Sequence, residues 1–224
     1  MSSKDLAVVL LSSGMDSAVC ASIASQSCEL ALIHFQYGQK AWKKELECFQ
    51  KLVEYFKPKY FKIVNLSFLK ELVISSLTDE KLKIPEEDTP GEIPSTYVPF
   101  RNGVFLSIAA AWAESIGATK IFIGANEVDY SGYPDCRGEF LETFNKAVNL
   151  GTKPETNLTI EAPLLRLTKA EIVKLGIKLN TPFHLTWSCY REGEVACGNC
   201  ASCKLRLKAF KEAGVKDPVP YEGF

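Results

Sequence analysis

The sequence predicts an α/β fold, a parallel doubly wound sheet with a C-terminal zinc-binding loop and helix. Three observations predict it. Short apolar runs of strand length alternate with longer stretches of helix length along most of the chain. The first run, "DLAVVLL", is apolar without alternation, as a strand covered by helices on both faces must be. Near the end, Cys189, Cys197, Cys200 and Cys203 crowd into one short stretch, a metal-ligand pattern.

The elements follow in order. "DLAVVLL" is a buried strand and "DSAVCASIASQ" a helix with Val19 and Ile23 on one face. "ELALIHFQYG" is a second strand, "WKKELECFQKLVEYF" a helix, and "YFKIVNL" a third strand with a short helix after it. The stretch 78–99, "TDEKLKIPEEDTPGEIPSTYVP", is rich in Pro, Gly and acid and has no period, so it reads as a long, lid-like loop. "NGVFLSIAAAWAESIG" is a buried helix, "KIFIGA" a fourth strand, "NEVDYSGYPDCRGE" a polar loop and "FLETFNKAVNLG" a helix. "TIEAPLL" is a short strand, and "TKAEIVKLGIKL" a helix opened by the capping box Thr168-x-x-Glu171. The cysteine cluster and a basic helix close the series. In such sheets ligands bind beyond the carboxyl ends of the strands. The Ser12–Ser17 turn, "QYGQ", "NEVDYSGYPDCR" and the "LLRLTK" corner all follow strands, so one cleft gathers them.

The chain has 224 residues, enough for a full core. Its net charge of -1 argues against an extended nucleic-acid groove, and no nucleic-acid partner is expected. The one basic run, Lys204, Arg206, Lys208 and Lys211, reads as a solvated helix face. No secretory or transit segment is visible, and the longest apolar run, "GVFLSIAAAWA", is too short to span a bilayer. A soluble, cytoplasmic protein is expected. Cys20, Cys28, Cys48 and Cys136 read as small packing residues, and His34 as a core histidine with its ring nitrogens satisfied; His184 has no assigned role.

The first turn, Ser-Ser-Gly-x-Asp-Ser over residues 12–17, joins a strand to a helix start. Free backbone N–H groups and the positive helix end make such a turn an anion site. Neither the ordinary P-loop nor the dinucleotide fingerprint is present. Hydroxyls and N–H groups suit phosphate, and Asp16 would repel it unless Mg²⁺ lies between them. The plain alternative is a polar turn whose Asp16 or Ser17 caps the helix. Cys189-x7-Cys197-x2-Cys200-x2-Cys203 offers four soft ligands, with Gly198 allowing a tight turn. Four thiolates in a closed tetrahedron are a structural zinc site; an iron–sulfur cluster is the rival.

Residues 12–17 resemble the S-G-G-x-D-S signature of the pyrophosphatase-type ATP enzymes, with Ser13 where that family usually has Gly. A Cβ there narrows the pocket or strains a left-handed backbone. "STYVPFRN", "GANEVDYSGYPDCR", "APLLRLTKAE" and "CYREGEVACGNCASCKLR", in that order, resemble the 7-cyano-7-deazaguanine synthase family of queuosine biosynthesis nearly end to end. The resemblance implies an adenine nucleotide alpha hydrolase-like, Rossmann-like fold. It divides the chain into a nucleotide-binding α/β domain over 1–185 and a zinc-binding segment over 186–224 packed on it. It also implies a homodimer that turns 7-carboxy-7-deazaguanine and ammonia into the nitrile through two adenylations by ATP.

On that resemblance ATP and Mg²⁺ take Leu11, Ser12, Ser13, Gly14, Met15, Asp16, Ser17 and Ala18. Asp16, Lys169 and Arg101 are the catalytic candidates. Lys169 stands in a first helical turn, where a cation is locally unfavourable, which favours a task on phosphate charge over an ordinary solvated lysine. Arg101 and Asn102 are read as a phosphate or substrate clamp, with a plain helix start as the alternative for Asn102. Glu127, Asp129 or Asp135 would accept the donor edge of a deazaguanine, Arg137 would fork its carboxylate and Tyr133 would stack on its ring; the plain alternative for each acid is a solvated loop residue. Cys136 is not read as a nucleophile. Phe100 stands where the family usually has Gly, and Ala41 where it often has His. Two other readings stay open: a tRNA-modifying adenylating enzyme, and a non-catalytic zinc-bearing nucleotide-binding regulator.

Overall fold

The computed structural model describes residues 4–223 apart from 88, 90 and 129–131. Strands β1 (Leu6–Leu10), β2 (Glu29–Gln36), β3 (Tyr60–Asn65), β4 (Lys120–Phe122) and β5 (Thr159–Glu161) form one sheet in the order β3-β2-β1-β4-β5. Every pair is parallel: Leu6 lies opposite Glu29, Ala7 opposite Lys120, Ala31 opposite Tyr60 and Lys120 opposite Thr159. The chain steps outward from β1 to β3, then returns to the other side of β1 for β4. The switch point therefore lies between the carboxyl ends of β1 and β4.

Residues of β1 alternate between two cores. Val8 faces a core with Ile33, Leu106 and Ile121. Ala7 and Val9 face a second with Leu32, Phe49, Ile172 and Phe210. Helix α4 (Arg101–Ile116) covers the first face, with side chains of α5 (Gly138–Gly151) packed beside it. Helices α1 (Met15–Ser27), α2 (Trp42–Phe56), α6 (Lys169–Lys178) and α7 (Ala201–Glu212) supply the second. A short α3 (Leu69–Leu72) follows β3. α1 buries Val19, Cys20, Ala21 and Ala24 around most of its circumference, as an apolar helix under a sheet must. The α6 capping box is present, Thr168 accepting from the Glu171 N–H and Glu171 from the Thr168 N–H.

Three readings need correcting. The final helix is not wholly a solvated face: Arg206 is 2% exposed and bonds both carboxylate oxygens of Asp217 at 2.7 and 3.0 Å. A guanidinium fork can be buried when a carboxylate matches it, and the Thr186 and Ser188 hydroxyls and the Phe183 carbonyl satisfy the remaining donors. His34 has one satisfied nitrogen, not two: Nδ1 meets the Leu11 carbonyl at 3.0 Å, while Nε2 is buried without a partner and the ring stacks on Phe49. Burial lowers its pKa, so the neutral ring ties β2 to the end of β1. No described residue of 78–99 lines the central cleft. Those residues are pinned at its side instead, the Pro85 carbonyl to the Ala201 N–H at 3.2 Å and Glu87 to Lys204 at 3.1 Å. No helix among the described residues is long and apolar enough to cross a membrane.

Candidate active site

At the switch point the structure opens a cleft of ≈ 280 Å³. All four segments that follow strands reach it, through Ser12, Gly14, Asp16 and Ser17, then Tyr37 and Gln39, then Asn126 and Tyr133, then Lys169.

Helix α1 starts at Met15 with Gly14 as its N-cap and no side-chain cap, so neither Asp16 nor Ser17 caps it. The first-turn N–H groups stay available to an anion. Ser12 Oγ and Ser17 Oγ bond each other at 3.2 Å beside them. Gly124, past the end of β4, passes so close that a Cβ on it would lie 3.1 Å from the Asp16 carbonyl carbon and the Ser17 nitrogen. Asp16 and Lys169 form an ion pair, with Lys169 almost fully buried at the first position of α6. Asn126 secures that corner by donating to the Leu164 and Leu167 carbonyls at 3.0 and 2.5 Å. The other carboxylate oxygen, Asp16 Oδ1, is buried without a partner. A lone anionic oxygen beside free N–H donors and a lysine suits a divalent cation carrying a polyphosphate.

Ser13 holds the left-handed backbone, with φ 65°, and is fully buried. Its Oγ donates to the Glu45 carbonyl at 2.7 Å and its own carbonyl accepts from the Trp187 N–H at 2.9 Å. Of the turn residues, Leu11, Ser12, Gly14, Met15, Asp16 and Ser17 line the cleft; Ser13 and Ala18 do not. Arg101 lies in the wall, Nη1 donating to Tyr37 Oη at 3.1 Å, its guanidinium over the Tyr37 ring. Phe100 is also left-handed, φ 55°, with its ring so close to Gly103 that a Cβ there would sit 2.4 Å from it.

The proposed substrate readers divide. Asn102 and Tyr133 line the cleft. Asp135 accepts the Asn102 N–H at 2.8 Å and thereby caps α4, whose own N-cap residue has no side-chain bond; burial pushes its carboxyl up. Glu127 does the same for α5 through the Gly138 N–H at 3.0 Å. Neither lines the cleft, and Arg137 is exposed outside it, so the structure does not bring these three together there. Asp129 lies outside the described residues. Cys136 lines the cleft, but burial pushes its thiol up to about 11, which leaves it protonated.

Tyr37 and Gln39, from the "QYGQ" segment expected there, line the cleft, and so do Glu45 and Trp187, which were not singled out from sequence. Glu45 sits in the first turn of α2, Gln39 Nε2 donating to its Oε2 at 2.8 Å. Burial pushes its carboxyl up to about 7, although Gln39 and Arg101 pull it down.

The sulfurs of Cys189, Cys197, Cys200 and Cys203 all lie within 4.8 Å of one another, and all four residues are buried. Zn–S bonds of about 2.3 Å in a tetrahedron place sulfurs roughly 3.8 Å apart, so the donor set fits zinc. The Cys200 N–H donates to Cys197 Sγ at 3.4 Å and the Arg191 N–H to Cys189 Sγ at 3.4 Å, contacts that favour thiolates. Gly198, φ 70°, makes the turn between Cys197 and Cys200. Trp187 and Ala41 pack on the cluster and also line the cleft, so this knot forms part of its wall.

The model of the queuosine biosynthesis protein QueC family matches residues 6–214. A 7-cyano-7-deazaguanine synthase from Nautilia profundicola is 50% identical over 217 residues, 96% of this chain and 98% of that one. Another, from Chlorobium phaeobacteroides, is 51% identical over 218 residues, 96% of each. Among solved structures, an NMN synthetase from Francisella tularensis superposes with a TM-score of 0.52 at 14% identity, over 96% of this chain and 79% of that one, a likeness of fold alone. With the phosphate-type turn, the Asp16–Lys169 pair and the four-cysteine knot in place, the chain belongs to the QueC family of queuosine biosynthesis, the 7-cyano-7-deazaguanine synthases.

Proposed function

We propose that the cleft binds ATP with Mg²⁺ and converts 7-carboxy-7-deazaguanine and ammonia to 7-cyano-7-deazaguanine by two adenylations at one site. The observation that carries this reading is the Asp16–Lys169 pair at the uncapped start of α1, with Asp16 Oδ1 left without a partner. The first-turn N–H groups, Ser12 and Ser17 hold the phosphates. Mg²⁺, when bound, supplies the positive charge that lets Asp16 sit against pyrophosphate. Lys169 neutralises charge growing on the phosphates as the substrate oxygen attacks. Arg101, held by Tyr37 in the wall of the cleft, orients substrate or phosphate. Tyr133 and Asn102 offer a face and an amide to the deazaguanine, while Asp135 holds the start of α4, which carries Arg101 and Asn102, and Glu127 holds the start of α5. The four cysteines hold zinc in a structural role. Family membership takes precedence over the tRNA-modifying and non-catalytic readings. A cytoplasmic homodimer accompanies this proposal.

The test is direct. Purified protein with ATP, Mg²⁺, ammonium and 7-carboxy-7-deazaguanine yields the amide and then the nitrile by mass spectrometry, with AMP and pyrophosphate. Asp16→Asn and Lys169→Ala each lower AMP formation by about 10²-fold or more. ATP cleavage without nitrile, or full activity in both variants, removes the proposal.

A further inference from the structure

The second substrate raises a question that the phosphate turn does not answer. At neutral pH ammonia is mostly ammonium, which has no lone pair with which to attack an adenylate. A group in the cleft that receives the small cation and takes one proton from it would supply the nucleophile where it is used.

We propose that Glu45 is that group: its carboxylate receives ammonium in the wall of the cleft and takes its proton, delivering ammonia to the adenylate at the Ser12–Ser17 turn. The inference rests on the adenylating function above. Four observations carry it. Glu45 lines the cleft, whose lining also includes Phe35, Tyr37, Leu77 and Phe105, and an unpaired carboxylate beside apolar surface is costly. Its Oε2 accepts from Gln39 Nε2 at 2.8 Å, and Gln39 is itself fixed, accepting from the Tyr37 N–H at 2.7 Å and donating to the Phe35 carbonyl at 3.2 Å. Oε1 accepts no hydrogen bond, and no lysine or arginine pairs with Glu45, among the described residues. Arg101, the nearby cation, is engaged with the Tyr37 hydroxyl. Finally, the Ser13 Oγ bond to the Glu45 carbonyl, 2.7 Å, fastens this acid to the phosphate turn, so base and adenylate keep a fixed relation.

The groups facing Glu45 set its proton affinity. Burial pushes it up to about 7, the Gln39 bond and the Arg101 charge pull it down, and Glu192 pushes it up. A base that titrates near the working pH is the useful kind. The step balances simply. One N–H bond of ammonium breaks and its proton passes to Oε1. The freed lone pair forms the C–N bond, the C–O bond to AMP breaks, and its electron pair leaves on the phosphate. The second proton on nitrogen goes to solvent.

The experiment compares wild type and Glu45→Gln in the full chain with two nucleophiles. Ammonium must be deprotonated; hydroxylamine is already neutral at pH 7 and traps the same adenylate as a hydroxamate. In Glu45→Gln, kcat/KM for ammonium at pH 7 falls by about 10²-fold or more and no longer levels off above about 7, rising on with the fraction of free ammonia, while hydroxamate formation stays within about threefold of wild type. Glu45→Asp, which keeps a carboxylate, recovers part of the ammonium rate, and carries the same comparison if Glu45→Gln folds poorly. Equal loss with both nucleophiles reduces Glu45 to a structural part and overturns the inference, as does an unchanged ammonium rate. If wild type forms no adenylate from 7-carboxy-7-deazaguanine, the parent function fails as well, and the variant is not needed to show it.

Discussion

Ser13 shows how one residue can break a local rule and repay it nearby. An L-residue in the left-handed region costs about 1–2 kcal/mol, and a hydrogen bond returns about 1 kcal/mol. Ser13→Gly therefore leaves stability within about 1 kcal/mol of wild type, because it loses strain and bond together. Ser13→Ala keeps the strain, loses the bond to the Glu45 carbonyl and costs about 1 kcal/mol. Urea unfolding of both variants checks the contrast. At this scale the sequence is legible where chemistry is locally odd. Lys169 stood out because a cation is misplaced at a helix start, and the fold supplies its anion, Asp16, from 153 residues away. Glu45 was hidden, because "WKKELE" is the pattern of any charged amphipathic helix and only tertiary burial distinguishes this acid from Glu47 beside it. Asp135 and Glu127 show the converse: an acid that caps a distant helix has the same local context as one that reads a ligand.

Elements were legible to the extent that their signals are local. "WKKELECFQKLVEYF" became α2 residue for residue, since its apolar stripe and its length are properties of the segment itself. "KIFIGA" was read too long. Only Lys120–Phe122 is strand, because Gly124 must leave the ladder to pass against the backbone of Asp16 and Ser17. That close approach yields a prediction. Gly124→Ala pushes a methyl into the start of α1, and a displacement of even 1 Å costs a positioned reaction up to about 10²-fold. AMP formation in this variant falls by tenfold or more (about 1.4 kcal/mol of barrier), with the melting temperature lowered far less than for a core truncation. Kinetics and a thermal melt on one preparation decide it. Residues 78–99 teach a different lesson: their Pro-rich, acidic composition announced a loop, but docking beside α7 depends on Lys204 and Ala201, which local composition does not reveal.

For the molecule as a whole, the parallel class was legible from alternation, whereas the order β3-β2-β1-β4-β5 was not, because it depends on pairings between distant segments. The cysteine knot was legible because its spacing is short. It is also where the last segment is fastened, by the four buried sulfurs, by the Arg206–Asp217 pair and by the bridge of Ala196 to Tyr221. The expected outcome is one zinc per chain by elemental analysis and no visible absorbance in the spectrum. Chelation lowers the melting temperature and weakens substrate binding together, because Trp187 belongs to both knot and cleft. A chelated protein that melts and binds as before denies the metal this part.

The separation of Asp16 from Lys169 has a consequence for synthesis in the cell. The phosphate turn leaves the ribosome ahead of its counter-ion, which is made 153 residues later, and ahead of its Trp187 wall, later still. A chain that stops before Lys169 thus displays the phosphate-type turn without the lysine to which the proposed function gives the phosphate charge. On the proposed function, competence to transfer arrives only once Lys169 and Trp187 have both been made, so a shorter chain cleaves no ATP.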